Sequence, residues 1–291
     1  MKHLLTLAAL VYATSCFGQE ACPELWTACG DGTVWDEESQ TCIVANVSDT
    51  DFDGCVGIND FLVHLSNFGF GCGSEVVWTC GDPLEYQGYD YETVQIGEQC
   101  WFAENLRIED YANGDAIDKN LSALEWETTT SGASAIYGEE VNTCLPSYPN
   151  VDACNPVWSL SEYGRLYNWY AVNDSRKLCP NDWRVPSDAD WFVVANYLGG
   201  FPIAGGQMKT TYGWYNGGNG TNESGFSALP AGNRLVNGDF DAAGGFGDWW
   251  SSSPNGSNAW YRDLDYYDGD LFRSNGDPRQ GFSVRCIKDS E

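Results

Sequence analysis

The stretch Pro186-Ser187-Asp188-Ala189-Asp190-Trp191-Phe192-Val193-Val194-Ala195-Asn196-Tyr197-Leu198 decides how the larger part of this chain is read. Ser187 is followed three residues later by Asp190, the spacing at which a hydroxyl and a carboxylate close the free N–H groups of a helix start. Trp191, Val194, Ala195 and Leu198 then recur at i, i+3, i+4 and i+7, a stripe that turns towards a core. Upstream, a further helix is predicted over residues 165–173, and two strands over 91–96 and 99–103 meet at a Gly97-Glu98 turn. Downstream, from Phe226 onward, short apolar runs alternate with Gly, Asn and Asp, the pattern of strands joined by tight turns. Two helices beside a small twisted antiparallel sheet make an α+β domain. In Trp260-Tyr261-Arg262-Asp263-Leu264-Asp265-Tyr266 the residues alternate: Trp260, Arg262, Leu264 and Tyr266 fall on one face, Tyr261, Asp263, Asp265 and Tyr267 on the other.

The beginning of the 291-residue chain reads differently. Met1-Lys2-His3, the apolar run from Leu4 to Ala13 and the small residues up to Gly18 have the order of a secretory signal, with cleavage expected after Gly18. Lipid attachment at Cys16 is the alternative, since Ala13-Thr14-Ser15-Cys16 loosely resembles a lipobox without its leading Leu. No stretch reaches the roughly 20 apolar residues of a spanning helix, so no transmembrane segment is expected. Residues 19–45 form a Cys-rich piece too small for a core and expected as a hairpin, 46–73 a loop and short helix, and 78–291 the main domain.

Twelve cysteines suit an exported chain. Spacing suggests Cys29 with Cys42, Cys55 with Cys72, Cys80 with Cys100, and Cys144 with Cys154, leaving Cys179 and Cys286 to pair at long range; spacing alone does not fix the connectivity. With Cys16 removed eleven remain, an odd number that leaves Cys22 as a free thiol or a bond to another chain.

Charge and histidine content exclude whole classes of function. The formal net charge is −28. Residues 19–77 carry eleven acids and no Lys or Arg, and residues 78–291 carry 31 acids against 13 bases, a difference of −18. Such a field repels phosphate backbones, so nucleic acid is not an expected partner. The only histidines are His3 and His64, outside the main domain, which rules out Ser-His-Asp and Cys-His catalysis and histidine-bound zinc there. A glycosidase working through two carboxylates survives only because so many acids are present.

Asp49-Thr50-Asp51-Phe52-Asp53-Gly54-Cys55-Val56-Gly57-Ile58-Asn59-Asp60 fits a twelve-residue calcium loop. Carboxylates of Asp49, Asp51, Asp53 and Asp60 with the Cys55 carbonyl supply hard oxygen ligands, and Gly54 stands where the chain must turn sharply. Ile58, Phe61, Leu62, Leu65 and Phe68 make the apolar face of the helix that follows. The stretch resembles one half of a type I dockerin, although the second half of that pattern is missing.

Further strings carry a wider resemblance: residues 91–107 (Tyr-Glu-Thr-Val-Gln-Ile-Gly-Glu-Gln-Cys-Trp-Phe-Ala-Glu-Asn-Leu-Arg), 164–169 (Gly-Arg-Leu-Tyr-Asn-Trp), 179–186 (Cys-Pro-Asn-Asp-Trp-Arg-Val-Pro), 225–232 (Gly-Phe-Ser-Ala-Leu-Pro-Ala-Gly), 249–253 (Trp-Trp-Ser-Ser-Ser) and 281–288 (Gly-Phe-Ser-Val-Arg-Cys-Ile-Lys). Together they resemble the Fibrobacter succinogenes major paralogous domain. That resemblance implies a fold like the C-type lectin-like and formylglycine-generating-enzyme-like group, in which Cys179 and Cys286 lie side by side. The calcium-dependent sugar motifs of such lectins are absent, and the cysteines are better placed for structural bridges than for the reactive pair that formylglycine-generating enzymes need, so fold alone implies no activity.

Function is therefore expected to reside in recognition. Tyr261, Asp263, Asp265, Tyr267, Asp268, Asp270 and Arg273 are read as an exposed ligand-contacting face, with Trp249, Phe282 and Val284 holding the sheet beneath; tyrosine supplies rigid amphipathic area, and small polar residues supply adaptable hydrogen bonds. The segment also resembles the variable region of diversified lectin-fold proteins. The expectation is a secreted or surface-attached, calcium-binding module for a protein or glycan ligand, not an enzyme. Its alternatives are a structural component of the envelope or matrix, and more distantly a carbohydrate-active enzyme.

Overall fold

The computed structural model describes residues 33–36, 41–44, 78–139 and 152–289. The chain divides into two compact units, Met1–Trp78 and Thr79–Glu291. In the first, β1 (Thr33–Asp36) and β2 (Thr41–Val44) pair antiparallel with Trp35 opposite Cys42. The calcium-loop residues Asp49, Asp51, Asp53, Cys55 and Asp60 lie outside the described residues, as do Cys22, Cys29, Cys72 and Cys144.

The second unit is α+β, mostly strand. In chain order it runs β3 (Leu84–Tyr86), β4 (Tyr89–Tyr91), β5 (Thr93–Ile96), β6 (Gln99–Phe102), α1 (Ala123–Thr128), β7 (Ser134–Ala135), α2 (Pro156–Tyr163), β8 (Leu166–Asn168), α3 (Trp169–Val172), β9 (Trp183–Arg184), α4 (Asp188–Tyr197) and α5 (Phe201–Met208). Seven strands close it: β10 (Asn233–Arg234), β11 (Phe240–Asp241), β12 (Phe246–Asn255), β13 (Asn258–Asp265), β14 (Phe272–Gly276), β15 (Gly281–Phe282) and β16 (Ile287–Lys288). They assemble as three small antiparallel sheets, β5-β6-β16-β9, β11-β10-β15-β8-β7 and β12-β13-β14, beside the β3–β4 hairpin. The single small sheet expected from the sequence is thus several.

Helix α4 forms where its capping pattern places it. The Ser187 side chain accepts from the Asp190 N–H while Asp190 returns to the Ser187 backbone, and Arg184 adds an ion pair to Asp190. Trp191, Val194 and Ala195 are fully buried, and Leu198 nearly so. They pack with Ile96, Trp101, Phe226, Trp249, Leu264 and Ile287 into the larger core. Trp101, Trp191, Phe226 and Trp249 meet edge-on or tilted with ring centres 5.0–5.9 Å apart, the geometry aromatic quadrupoles favour.

The helix expected over 165–173 is corrected. Leu166, Tyr167 and Asn168 are strand β8, buried between β15 and the edge strand β7 of the five-stranded sheet. Only Trp169–Val172 coils, starting where the Asn168 side chain accepts from the Ala171 N–H. Sheet pairing on both edges outweighs the helical spacing. The longer helix comes earlier, at Pro156–Tyr163, with Asn155 as cap and proline in its first turn.

Two bridges join distant strings. Cys80 pairs with Cys100 and Cys179 with Cys286, each with Cα atoms 5.8 Å apart. Cys154 is also disulfide-bonded, and its partner lies outside the described residues. Asn105 knits the same region: it donates to the Tyr163 carbonyl at 2.9 Å and to Ser283 Oγ at 3.2 Å, and accepts from Trp249 Nε1 at 2.9 Å and Arg285 Nε at 2.8 Å. All four of its amide positions are used. No helix of the described residues is long and apolar enough to cross a membrane.

Candidate functional site

The β12-β13-β14 meander carries the residues singled out in the sequence, and its two faces separate them. Strand alternation holds: Arg262 and Leu264 are fully buried, beneath α4 and α5. On that face Arg273 lies 3.4 Å from the centre of the Trp260 ring and grips both oxygens of Asp188, the first residue of α4, at 2.9 Å. Arg262 donates to the same carboxylate at 2.8 Å. Arg273 therefore belongs with the helix-facing cluster, and its expected place beside Tyr261 and Asp263 is corrected; β14 pairs it opposite Arg262, although it is exposed there as expected.

The opposite face holds Tyr261, Asp263 and Asp265, yet it is not an open surface. Tyr261 is half-buried, its ring centre 4.5 Å from Phe282 and 6.0 Å from Trp250. Asp263 is half-buried, and Asp265 is only 2 % exposed. The exposure expected of these three is corrected, because the 281–284 segment covers this side: the Trp250 N–H donates to the Ser283 carbonyl, and the Ser283 N–H to that of Asp248. Trp249, Trp250, Phe282 and Val284 are core, as their pattern implies.

Under that cover lies an acid pair the sequence reading missed. Asp248 stands directly opposite Asp263 across the β12–β13 ladder and accepts from Asn233 Nδ2 at 2.9 Å. Burial pushes the Asp248 carboxyl up to about 8, against that hydrogen bond and helped by the charge of Asp263. Burial raises Asp263 too, opposed by a hydrogen bond from Ser274 and helped by Asp265. Asp248 holds its proton where an ordinary aspartate is ionised. The signal was in the sequence, since Asp248 shares the phase of Trp250, but only the hairpin register sets it against Asp263.

What remains exposed is Tyr267 and Asp268 in the turn after β13; Asp270, expected in the open, is half-buried there. Asp265 caps it, accepting from the N–H groups of Tyr267 and Asp268 at 3.1 Å each. The Asp268 carboxylate accepts from the Asp270 N–H at 2.9 Å. Lys209, 3 % exposed at the end of α5, donates to the carbonyls of Asp265 and Asp268. Gly206 N–H bonds to the Gly269 carbonyl and Leu271 N–H to that of Phe201. A Cβ on Gly205 would stand 2.6 Å from the Asp270 carbonyl oxygen, so only glycine lets the helix approach this closely. Tyr266 anchors the turn against Tyr215 and Phe246. Tyr267 stands out at 64 % exposure, its phenol raised to about 12 chiefly by a hydrogen bond to Asp265. It remains a protonated donor at neutral pH. Lysine 209 was invisible to the sequence reading, since nothing local ties position 209 to a turn 56 residues on.

Among the described residues no group of three or more His, Cys, Asp or Glu side chains is placed to hold a metal ion. The arrangement is an α+β domain that presents a rigid acidic turn, bearing one projecting tyrosine, at the end of a three-stranded meander. The family model of the Fibrobacter succinogenes major domain matches residues 94–288, and the chain belongs to that family. No curated protein and no solved structure matches it.

Proposed function

We propose that this protein is an exported recognition module of lectin-like fold that binds a protein or glycan ligand through the 266–270 turn, and that it is not an enzyme. One observation carries the reading: Tyr267 projects from a turn whose backbone is already fixed by Asp265, Lys209 and Gly206. An aromatic on a pre-organised turn binds without first ordering a loop, which is where much of the free-energy cost of association arises. Asp268 and Asp270 give the contact a negative rim, so the favoured ligand surface carries hydroxyl, amide or cationic groups. The signal-like start and the cysteine usage support export. The acidic loop Asp49–Asp60 is proposed to hold a calcium ion that orders the segment preceding the domain, as in the dockerin half it resembles.

The test is a combined glycan and protein array probed with the full chain, followed by Tyr267→Ala and Asp268→Asn on any ligand found. Tyr267→Ala is expected to weaken binding at least tenfold with an unchanged melting temperature. Retention of full affinity in both variants would remove the turn from the binding surface.

A further inference from the structure

A cavity of about 250 Å³ opens where the residues around Glu104, Glu162, Tyr212 and Asn222 converge, and it shares no residue with the 266–270 turn. Arg285 forms its floor at 1 % exposure. Its Nε donates to Asn105 Oδ1, Nη1 to the carbonyls of Phe102 and Phe226, and Nη2 to that of Ser227 at 3.0 Å. A guanidinium has five N–H donors, so these bonds leave one, on Nη2. All four acceptors are neutral.

The walls are polar and of both signs. Glu104 is paired with Arg107 at 3.2 Å. Glu162 lines the cavity together with Tyr212, whose ring is 55 % exposed. Asn222 and Ser227 both have left-handed backbones, at φ 53° and 56°, and lock one another: the Ser227 N–H donates to Asn222 Oδ1 at 2.8 Å, and Asn222 Nδ2 to Ser227 Oγ at 3.0 Å. This lock holds the 226–227 carbonyls over Arg285. Strained positions of this kind persist where surrounding structure over-determines them, commonly around ligands.

The chemistry narrows the ligand. Two guanidinium groups oppose a bare metal ion, and Glu92, Glu104 and Glu162 oppose a polyanion. A carboxylate asks arginine for two parallel N–H bonds, and the floor offers one. A hydroxyl gives one hydrogen bond and can accept on either of its two lone pairs, which suits a single N–H below carboxylate acceptors. The volume falls beneath that of drug-sized pockets, enough for one ring. We propose that this cavity binds a single neutral sugar ring, with Arg285 donating to one hydroxyl, Glu104 and Glu162 accepting from others, and Tyr212 packing on the C–H face.

Saturation-transfer NMR on the full chain tests this with methyl β-glucopyranoside, methyl β-galactopyranoside and N-acetylglucosamine, against glucuronate and glucosamine as charged counterparts. At least one neutral pyranoside is expected to show transfer, weakened tenfold or more by Tyr212→Ala and by Glu162→Gln. Tyr212→Phe, which keeps the ring, is expected to retain most of it, and Tyr267→Ala to leave it unchanged. Absence of transfer to every neutral pyranoside, preference for a charged sugar, full binding in Tyr212→Ala, or loss in Tyr267→Ala would each overturn the assignment.

Discussion

The ammonium of Lys209 donates to the main-chain carbonyl of Asp265 at 2.9 Å, a buried tie between the end of one helix and the start of the exposed turn. A second bond from the same ammonium, to Asp268 at 2.6 Å, makes the lysine a clamp on the turn's shape. Replacing it by methionine keeps the stem and removes both donors. Lys209→Met is expected to destabilise the domain by about 1–3 kcal/mol, the effect of orphaning buried acceptors. Hydrogen exchange should quicken at residues 266–270 and stay slow in α4; equal quickening in both would show that the lysine does not act on the turn.

Tyr261 and Tyr267 should part company under truncation. Tyr261 is wedged against Phe282 and Trp250, so Tyr261→Ala is expected to lower stability by about 2–4 kcal/mol, somewhat below a fully buried aromatic. Tyr267, mostly in solvent, should shift the melting temperature little. Chemical denaturation of the two variants side by side checks the contrast.

Asp248 predicts an unusual pH slope. Its folded value, about 8, lies above the ordinary aspartate value of 3.8, so the folded state binds more protons than the unfolded one between those limits. Stability therefore falls as pH rises through that window. Asp248→Asn should flatten this contribution, which appears as a smaller loss of melting temperature between pH 5 and pH 8 than in the parent protein. An unchanged slope would mean that Asp248 is ionised.

The Cys179–Cys286 bridge closes a long loop, with a sequence separation of 107. Replacing both cysteines by serine is expected to destabilise the domain on the order of 4–5 kcal/mol if chain entropy dominates. Non-reducing peptide mapping should recover Cys80 with Cys100 and Cys179 with Cys286; a different partner for any of the four would refute the pairing.

Calcium titration of the full chain is expected to show a site that disappears when Asp49 and Asp51 are both changed to Ala. Binding that survives the double change would place the ion elsewhere.

The sequence by itself determined what depends on neighbours along the chain. Ser187 and Asp190 cap α4 because a helix start is closed within three residues, and Trp191, Val194, Ala195 and Leu198 face the core because helical geometry repeats over four. Strand alternation likewise sent Arg262 and Leu264 inward. Only the tertiary structure decided which outward positions stay outward. Residues 166–168 became a strand because β7 and β15 offer pairing on both sides, and Tyr261 was covered because a segment about 20 residues later folds over it. Arg273 turned towards α4 through its register with Arg262, Asp248 met Asp263 through the hairpin register, and Lys209 reached a turn far along the chain. Burial is a property of everything that packs on a face, and local periodicity reports only the direction in which a side chain leaves its own backbone.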